Sequence, residues 1–316
     1  MDLTLSASDN RNHQPTNDSW FQESVVFMWG DPDAGMGGEL RFGMHPNRGV
    51  ANIYAFAVVN GRKADRRLLT DLPLPAGDLL DTELAGFAIE TIEPLHSQRI
   101  RFAGPDLEMD LTWRAFHEPR TMTLAAGGVS LARGHYNGLG RMTGAGRWRG
   151  EPFAIDACGF ADHSWGVRRQ HVPASRFVVA VFDEEFYIMA MPILTDDGPH
   201  MLGYVRDGGR FTTLVAPVDM GYSFRDDWFT PAGCDARLTT QEGRVYRLTG
   251  RSVGDSSTQP MGHGKLVTHA IGAFECEGRM GRGVIESSLP RKMPPAQIIE
   301  LGLPLDSWWV NEEAHR

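Results

Sequence analysis

Arg99-Ile100-Arg101-Phe102, then Ala103-Gly104-Pro105-Asp106, then Leu107-Glu108-Met109-Asp110-Leu111-Thr112-Trp113: apolar and polar residues alternate on both arms of this stretch, around a Gly-Pro turn. Successive side chains of a strand point to opposite faces, so the stretch reads as a β-hairpin with one apolar face. The same pattern runs outward in both directions. Residues 24–29 form an apolar run before Asp31-Pro32-Asp33. Residues 50–59 end at Asn60-Gly61, a pair that accepts the positive φ of a tight hairpin turn. Residues 177–182 turn at Asp183-Glu184-Glu185 into 186–191, and 210–215 and 244–249 continue the series. Helical periodicity is scarce; the best candidate is short, 295–301, with Pro295 at its start. Many short strands with close turn signals predict an all-β chain of barrel or sandwich type with few short helices.

A chain of 316 residues has room for two domains. His45-Pro46-Asn47-Arg48 leads into the run 50–59, and His171-Val172-Pro173-Ala174 leads into 177–182, an echo that two similar β-units would explain. The expected division is a flexible N-terminal stretch 1–18, one β-domain over 19–150 and a second over 151–316. Thirty-one basic residues against 40 acidic give a net charge of −9, with no unbroken basic run. That balance argues against nucleic acid and anionic membranes. The densest basic patch, Gly61-Arg62-Lys63-Ala64-Asp65-Arg66-Arg67, reads as a solvated hairpin. No apolar run approaches the ~20 residues of a membrane span, so stable membrane insertion is not expected. The N-terminus lacks the pattern of a signal peptide. Cys158, Cys234 and Cys276 are odd in number and form no CxxC pair, so the default setting is reduced and cytoplasmic. Oligomeric state is left open.

Residues 153–158 read as a strand that runs into Gly159-Phe160-Ala161-Asp162-His163-Ser164-Trp165-Gly166-Val167-Arg168. This brings an acid, an imidazole, an indole and a guanidinium together. Unbroken alternation puts His163 and Trp165 on one face and Asp162, Ser164 and Arg168 on the other. Residue types alone leave two readings open: a site, or a core tryptophan beside a structural ion pair. Other motifs fall away. Gly138-Leu139-Gly140-Arg141-Met142-Thr143-Gly144 is followed by more strand and turn, where a dinucleotide-binding loop needs a helix. There is no Walker loop and no Gly-x-Ser-x-Gly elbow. No His-x-His or His-Glu-x-x-His occurs, and His263 and His269 sit in a Gly-rich segment. No metal site is therefore expected from local motifs, and only ligands distant in sequence stay open.

Four further stretches flank the central motif: Trp20-Phe21-Gln22-Glu23-Ser24, Gly43-Met44-His45-Pro46-Asn47, the segment from His135-Tyr136-Asn137 to Gly144, and Gly278-Arg279-Met280-Gly281-Arg282-Gly283-Val284-Ile285-Glu286. In this order and spacing, over about residues 20–290, the chain resembles a family of double β-barrel proteins. That family includes the lipocalin-like AttH proteins and the carotenoid 1,2-hydratases (hydroxyneurosporene synthases). The chain looks closest to a bacterial branch with the motif Gly-Phe-Arg-Asp-His-Ser-Trp-Gly-x-Arg, from which Ala161 departs. The resemblance implies two lipocalin-like barrels packed together, an apolar cavity and no required cofactor. It carries the active-site histidine and tryptophan of the hydratases onto His163 and Trp165. The hydratases' further aspartate and tyrosine have Asp183 and Tyr187 as nearest candidates here, off the family's spacing.

A carboxyl group in an apolar cavity holds its proton at neutral pH and can protonate an alkene. Aromatic faces of Trp165, Tyr136 or Trp148 could stabilise a developing carbocation, and His163 could position or deprotonate water. The expectation is a cofactor-independent lyase or isomerase. It would hydrate, dehydrate, isomerise or cyclise an isoprenoid-, steroid- or polycyclic-type molecule. His163, Trp165 and Asp162 are the catalytic candidates; Tyr136, Trp148, Tyr187 and Asp183 are the substrate contacts. Arg168 and Glu286 are expected as an ion pair locking the barrels together. The alternatives are a hydrophobic-ligand carrier without chemistry and a structural role.

Overall fold

The computed structural model describes residues 5–168, 172–227, 229–261 and 265–290. Strands follow one another along the chain. The first group is β1 (Phe21–Asp31), β2 (Met36–His45), β3 (Val50–Val59), β4 (Arg62–Pro73), β5 (Thr82–Leu84), β6 (Phe87–Glu93), β7 (Ser97–Ala103) and β8 (Leu107–Ala115). Short pieces β9 (Arg120–Thr121), β10 (Ala125–Ala126) and β11 (Val129–Ser130) lead to the long strands β12 (Gly134–Trp148) and β13 (Glu151–Val167). Then come β14 (Ser175–Val181), β15 (Phe186–Thr195), β16 (Gly198–Asp207), β17 (Arg210–Phe224), β18 (Pro231–Thr240), β19 (Val245–Met261), β20 (Lys265–Cys276) and β21 (Arg279–Pro290). The helical elements among the described residues are two 3-10 turns, Ala7–Asn10 and Pro46–Arg48. The helix expected at 295–301 lies outside them. No helix of the described residues is long and apolar enough to cross a membrane.

The chain divides into two compact units, the first holding β1–β9, β12 and β13, the second β14–β21. The boundary expected at residue 150 falls in the turn Arg149-Gly150, where both residues take positive φ. The units part after β13, because β13 is hydrogen-bonded along its length to β1 and β12.

In the first unit one long curled sheet runs in the order β4-β3-β2-β1-β13-β12-β8-β7-β6-β5. The hairpins read from sequence are present. Asn60 and Gly61 take φ of 52° and 73° between Val59 and Arg62, and Gly104 closes the β7–β8 turn through its N–H to the Leu107 carbonyl. Along β8, Leu107, Met109, Leu111 and Trp113 are buried while Glu108 and Asp110 are exposed. The apolar stripes fill one interior with Phe27, Trp29, Leu40, Phe42, Ile53, Trp113 and Met142. Each large side chain contributes roughly 1.5–3 kcal/mol by leaving water.

The second unit is a closed barrel in which β14 to β21 pair in chain order and β21 returns to β14. Its interior holds Val178, Phe186, Ile188, Leu214, Tyr222, Leu248, Phe274 and Ile285. The Pro-led strands of the apparent echo hold different places: β3 is the third strand of its unit in chain order and second along its sheet from the β4 edge, whereas β14 is the first strand of the barrel. The echo is therefore not a repeat of equivalent strands, and His171 lies outside the described residues. Cys158, Cys234 and Cys276 are free and buried. Burial pushes the thiols of Cys234 and Cys276 up to about 12, which leaves them inert small hydrophobes.

Candidate functional site

β1 alternates Phe21, Glu23, Val25, Phe27 and Trp29 on one face, and the last three belong to the apolar interior of the first unit. β13 sends Ile155, Ala157 and Ala161 to the same interior, and the stripe continues to His163 and Trp165. Pairing of β13 with β1 and β12 is free of bulges over this stretch, so the expected alternation holds. In register, Trp165 lies opposite Glu23 on one side and Gly134 on the other, and His163 lies opposite Val25 and Tyr136. Glu23 and His163 are thus diagonal neighbours on the inward face, within reach of each other's side chains. Gly134 makes room for the indole: a Cβ there would stand 2.2 Å from Trp165.

The chemistry gathers here. His163 Nε2 lies 2.8 Å from Glu23 Oε1. Its Nδ1 lies 3.1 Å from the Asp9 carbonyl oxygen and 3.3 Å from the Tyr136 hydroxyl. A carbonyl only accepts, so Nδ1 carries a hydrogen. His163 is 1% exposed and Glu23 2%. Glu23 also accepts from the His13 backbone N–H at 2.9 Å and faces His13 Nδ1 at 2.8 Å. His13 stacks flat on Trp165, with ring centroids 3.5 Å apart, and its Nε2 lies 3.5 Å from Asp9 Oδ1. Phe21, Leu95, Tyr136 and Trp165 form a small apolar cluster around the group.

Burial acts to raise the Glu23 carboxyl, but hydrogen bonds from His13 and His163 outweigh it and hold the group below its ordinary value. Glu23 is therefore a carboxylate, not the proton reservoir that an isolated buried acid would be. Burial, reinforced by the charges of Asp9, Asp162 and Glu23, pushes the Tyr136 hydroxyl well above its usual range, so it stays neutral.

The cover of this site comes from the stretch expected to be loose. Residues 5–18 lie against the strands because their polar side chains meet specific backbone groups. Asn10 is buried, accepts from the Leu95 N–H at 3.0 Å and donates to Thr91 Oγ1 at 2.9 Å. Asn12 donates to the Gly77 carbonyl and accepts from the Leu79 N–H. Composition made this segment look disordered; its asparagines instead act as hydrogen-bonding pegs.

The other sequence candidates lie elsewhere. Asp162 is on the opposite face of β13, 3.5 Å from His135 Nε2, and away from His163. Arg168 donates to Ser164 Oγ at 2.7 Å, and its value falls to about 10 through burial and the neighbouring Arg41 guanidinium, with Asp162 opposing. Glu286 is in the second unit, 2.7 Å from His269 Nε2. Arg168 and Glu286 each have a partner inside their own unit; His263, the other half of the sequence's histidine pair, lies outside the described residues. Trp148 ends β12, twelve residues beyond Tyr136, roughly 40 Å along a strand, with Arg149 over its ring. Asp183 accepts from the N–H groups of Glu185 and Phe186 in the β14–β15 turn, and Tyr187 meets Phe211 edge-on in the same unit. Of the expected set, the structure brings His163, Trp165 and Tyr136 together.

Two residues of the cluster escaped sequence reasoning as site residues, Glu23 and His13. Glu23 left a signal: it is the single charge on the inward stripe Phe21, Glu23, Val25, Phe27, Trp29. His13 left none, since it belongs to no strand.

The chain belongs to a family described as a domain of unknown function, DUF7064, matched over residues 6–291. No curated protein matches it in sequence. Among solved structures it is similar to a candidate AttH protein from Nitrosomonas europaea, with a TM-score of 0.67 and 15% identity over 89% of this chain and 94% of that one. It is also similar to CghA crystallised with Sch210972, with a TM-score of 0.63 and 12% identity over 86% and 89% of the two chains. CghA alone gives a TM-score of 0.60 at 12% identity, over 86% and 88%. These likenesses establish the fold, and the AttH-like architecture expected from the motifs is the one observed.

Proposed function

We propose that this protein is a cofactor-independent lyase or isomerase acting on a hydrophobic small molecule, with His163 as the proton-transferring group. The observation that carries the reading is the inward-facing Glu23–His163 pair beside the neutral Tyr136 hydroxyl. Glu23 grips Nε2 and fixes the ring, which leaves Nδ1–H as the working position, the logic of an oriented acid–base pair. The Asp9 carbonyl now occupies the place where a substrate oxygen would accept that hydrogen bond. In dehydration, Nδ1–H protonates a hydroxyl as the C–O bond breaks and water leaves. The ring then takes the proton from the adjacent carbon as the C=C bond forms, and His163 returns to its starting state. Hydration runs the same steps backwards, and proton transfer across an alkene gives isomerisation. Tyr136 and Trp165 present aromatic faces to the positive charge that develops.

The aromatic side chains around the pair, Phe21, Tyr136 and Trp165, suit a hydrophobic substrate of isoprenoid, steroid or polycyclic type. The apolar hollow lined in part by Trp29, Leu40, Phe87, Ile100, Phe102 and Met109 is separate from the cluster and, at about 20 Å³, too small to hold such a molecule. CghA, of similar fold, was crystallised with Sch210972. Substrate entry requires residues 5–18 to lift from the site. Asp162 supports the strand from its other face in this reading, and takes no part in the chemistry.

The test is to incubate the protein with terpenoid, carotenoid and steroid panels, without added metal or nucleotide, and follow products by mass spectrometry. The expected result is a product whose formation His163→Ala abolishes. Loss of turnover on chelation would contradict cofactor independence. The burial of Glu23 and His163 beneath residues 5–18 favours a second reading, a carrier that encloses its ligand unchanged. Native mass spectrometry of freshly purified protein separates the two: an intact ligand supports the carrier, a converted one the enzyme.

A further inference from the structure

We propose that His13, Glu23 and His163 bind one divalent transition-metal ion of the zinc type, which clasps the N-terminal segment over the site. One ligand atom from each residue lies within 4.8 Å of the others. Both His13 Nδ1 and His163 Nε2 are 2.8 Å from the same carboxylate oxygen, Glu23 Oε1. The far nitrogen of each ring is already committed. His163 Nδ1 faces the Asp9 carbonyl at 3.1 Å, and His13 Nε2 faces the Asp9 carboxylate at 3.5 Å. An outer acceptor on the far nitrogen is the arrangement that fixes the tautomer of a metal-bound histidine and turns its other lone pair to the ion.

Glu23 is held in the matching way. The His13 backbone N–H is shared between Oε2 at 2.9 Å and Oε1 at 3.1 Å, and Oε1 is the oxygen that faces both rings. Without an ion, ring N–H groups of the two histidines hold the carboxylate; a metal among the three atoms takes the place of those hydrogens, which leave as protons on binding. Two histidines and one glutamate are the protein ligands of a known class of three-ligand zinc site, and mixed imidazole and carboxylate donors select transition metals over calcium or magnesium. Bonds of about 2.1 Å in tetrahedral geometry need ligand atoms about 3.4 Å apart. Each 2.8 Å contact must widen by about 0.6 Å, and His13 can shift because its segment is bound in no sheet.

The consequence is specific to this chain. Glu23 and His163 belong to paired strands of the first unit's sheet, whereas His13 and the supporting Asp9 belong to the segment that covers the site. An ion joining them holds the cover shut, with the Asp9 carbonyl on His163 Nδ1. The metal-loaded protein is the closed form, and the ion is a clasp outside the catalytic cycle.

Zinc titration of the chelator-treated, full-length protein by calorimetry tests the site. The expected result is one equivalent bound, with affinity lowered at least about 100-fold in His13→Ala and in Glu23→Gln, since loss of even an outer-shell partner costs up to that much. Because the chain holds 11 histidines, a positional readout is added. Trypsin cleavage after the exposed Arg11 should slow when zinc is added to the parent and stay unchanged in His13→Ala. His13 lies outside every strand, so this variant keeps the sheet, which circular dichroism verifies. Absence of zinc binding, equal affinity in parent and His13→Ala, or cleavage after Arg11 indifferent to zinc would each overturn the proposal. All of these are read without substrate, so their failure leaves the catalytic reading standing, and a missing product leaves the clasp standing.

Discussion

Each unit of this protein carries a histidine–glutamate pair on adjacent strands, buried in the first and partly buried in the second, and the two pairs are built differently. In the first, Glu23 on β1 and His163 on β13 are diagonal neighbours on the face turned to the apolar interior. In the second, His269 on β20 and Glu286 on β21 lie directly opposite. The neighbouring pair Ala270 and Ile285 has its isoleucine in the core, so His269 and Glu286 point away from the barrel interior. The contacts are of similar length, 2.8 and 2.7 Å. Their surroundings separate them. Glu23 is wrapped by His13, and His163 by Asp9 and Tyr136, all inside a ring of aromatics. A pair facing inward with an adjacent neutral hydroxyl has the parts of a proton-transfer site, whereas a cross-strand pair on an outer face has the parts of a strand clamp.

The largest expected effect tests that distinction directly. His163→Ala should cut turnover of the identified substrate by about 10²- to 10⁴-fold, the usual worth of a positioned acid–base group, while His269→Ala leaves it unchanged. Equal losses from the two variants in a product assay would erase the functional contrast. Stability comes next. Glu23→Ala leaves several buried N–H groups without their carboxylate and should cost about 3–5 kcal/mol in urea unfolding. Glu286→Ala removes the His269 hydrogen bond and a charge that favours the buried Lys265, and should cost about 1–3 kcal/mol. If the order is reversed, the denser network is not the stronger one.

Two smaller effects sharpen the account of the first unit. Gly134→Ala would drive a methyl group into the Trp165 indole and should cost about 1–3 kcal/mol through repacking, with the second unit's melting unaffected. Differential scanning calorimetry reads this, and a silent variant would show that Trp165 is loosely held. The last effect concerns pH. Asn52 Oδ1 accepts from the Asp71 N–H, so its Nδ2 donates to His45 Nε2, and that ring is neutral. Burial, with the charges of Arg41, Arg48 and Arg168, lowers the His45 value from 6.5 to about 4. Between these values the unfolded chain binds the extra proton. Stability is therefore whole above pH 6.5 and declines as pH falls towards 4, by up to about 2 kcal/mol after screening. His45→Gln should flatten that part of the curve in urea melts recorded from pH 7 to 4.

The all-β architecture was legible in the chain because period-2 alternation and turn residues act locally. Leu107 to Trp113 shows its buried and exposed sides in its own spelling, and Asn60-Gly61 declares its turn. The shared face of His163 and Trp165 was legible for the same reason. Once β13 runs without a bulge, parity alone assigns the sides, and it also separates Asp162 from them. Sequence by itself thus determined the strands, the turns and the side of each residue. Only the tertiary structure decided which strands meet. Glu23 lies 140 positions from His163, and nothing local states that β13 returns to lie beside β1. Arg168 and Glu286 looked like partners by charge, yet each has a partner in its own unit, because hydrogen bonding rewards the neighbour that register supplies. His13 joined the site through asparagine pegs to backbone groups that exist only after the sheet has formed. Periodicity carries local information, and a site assembled across strands depends on long-range pairing that no window of sequence contains.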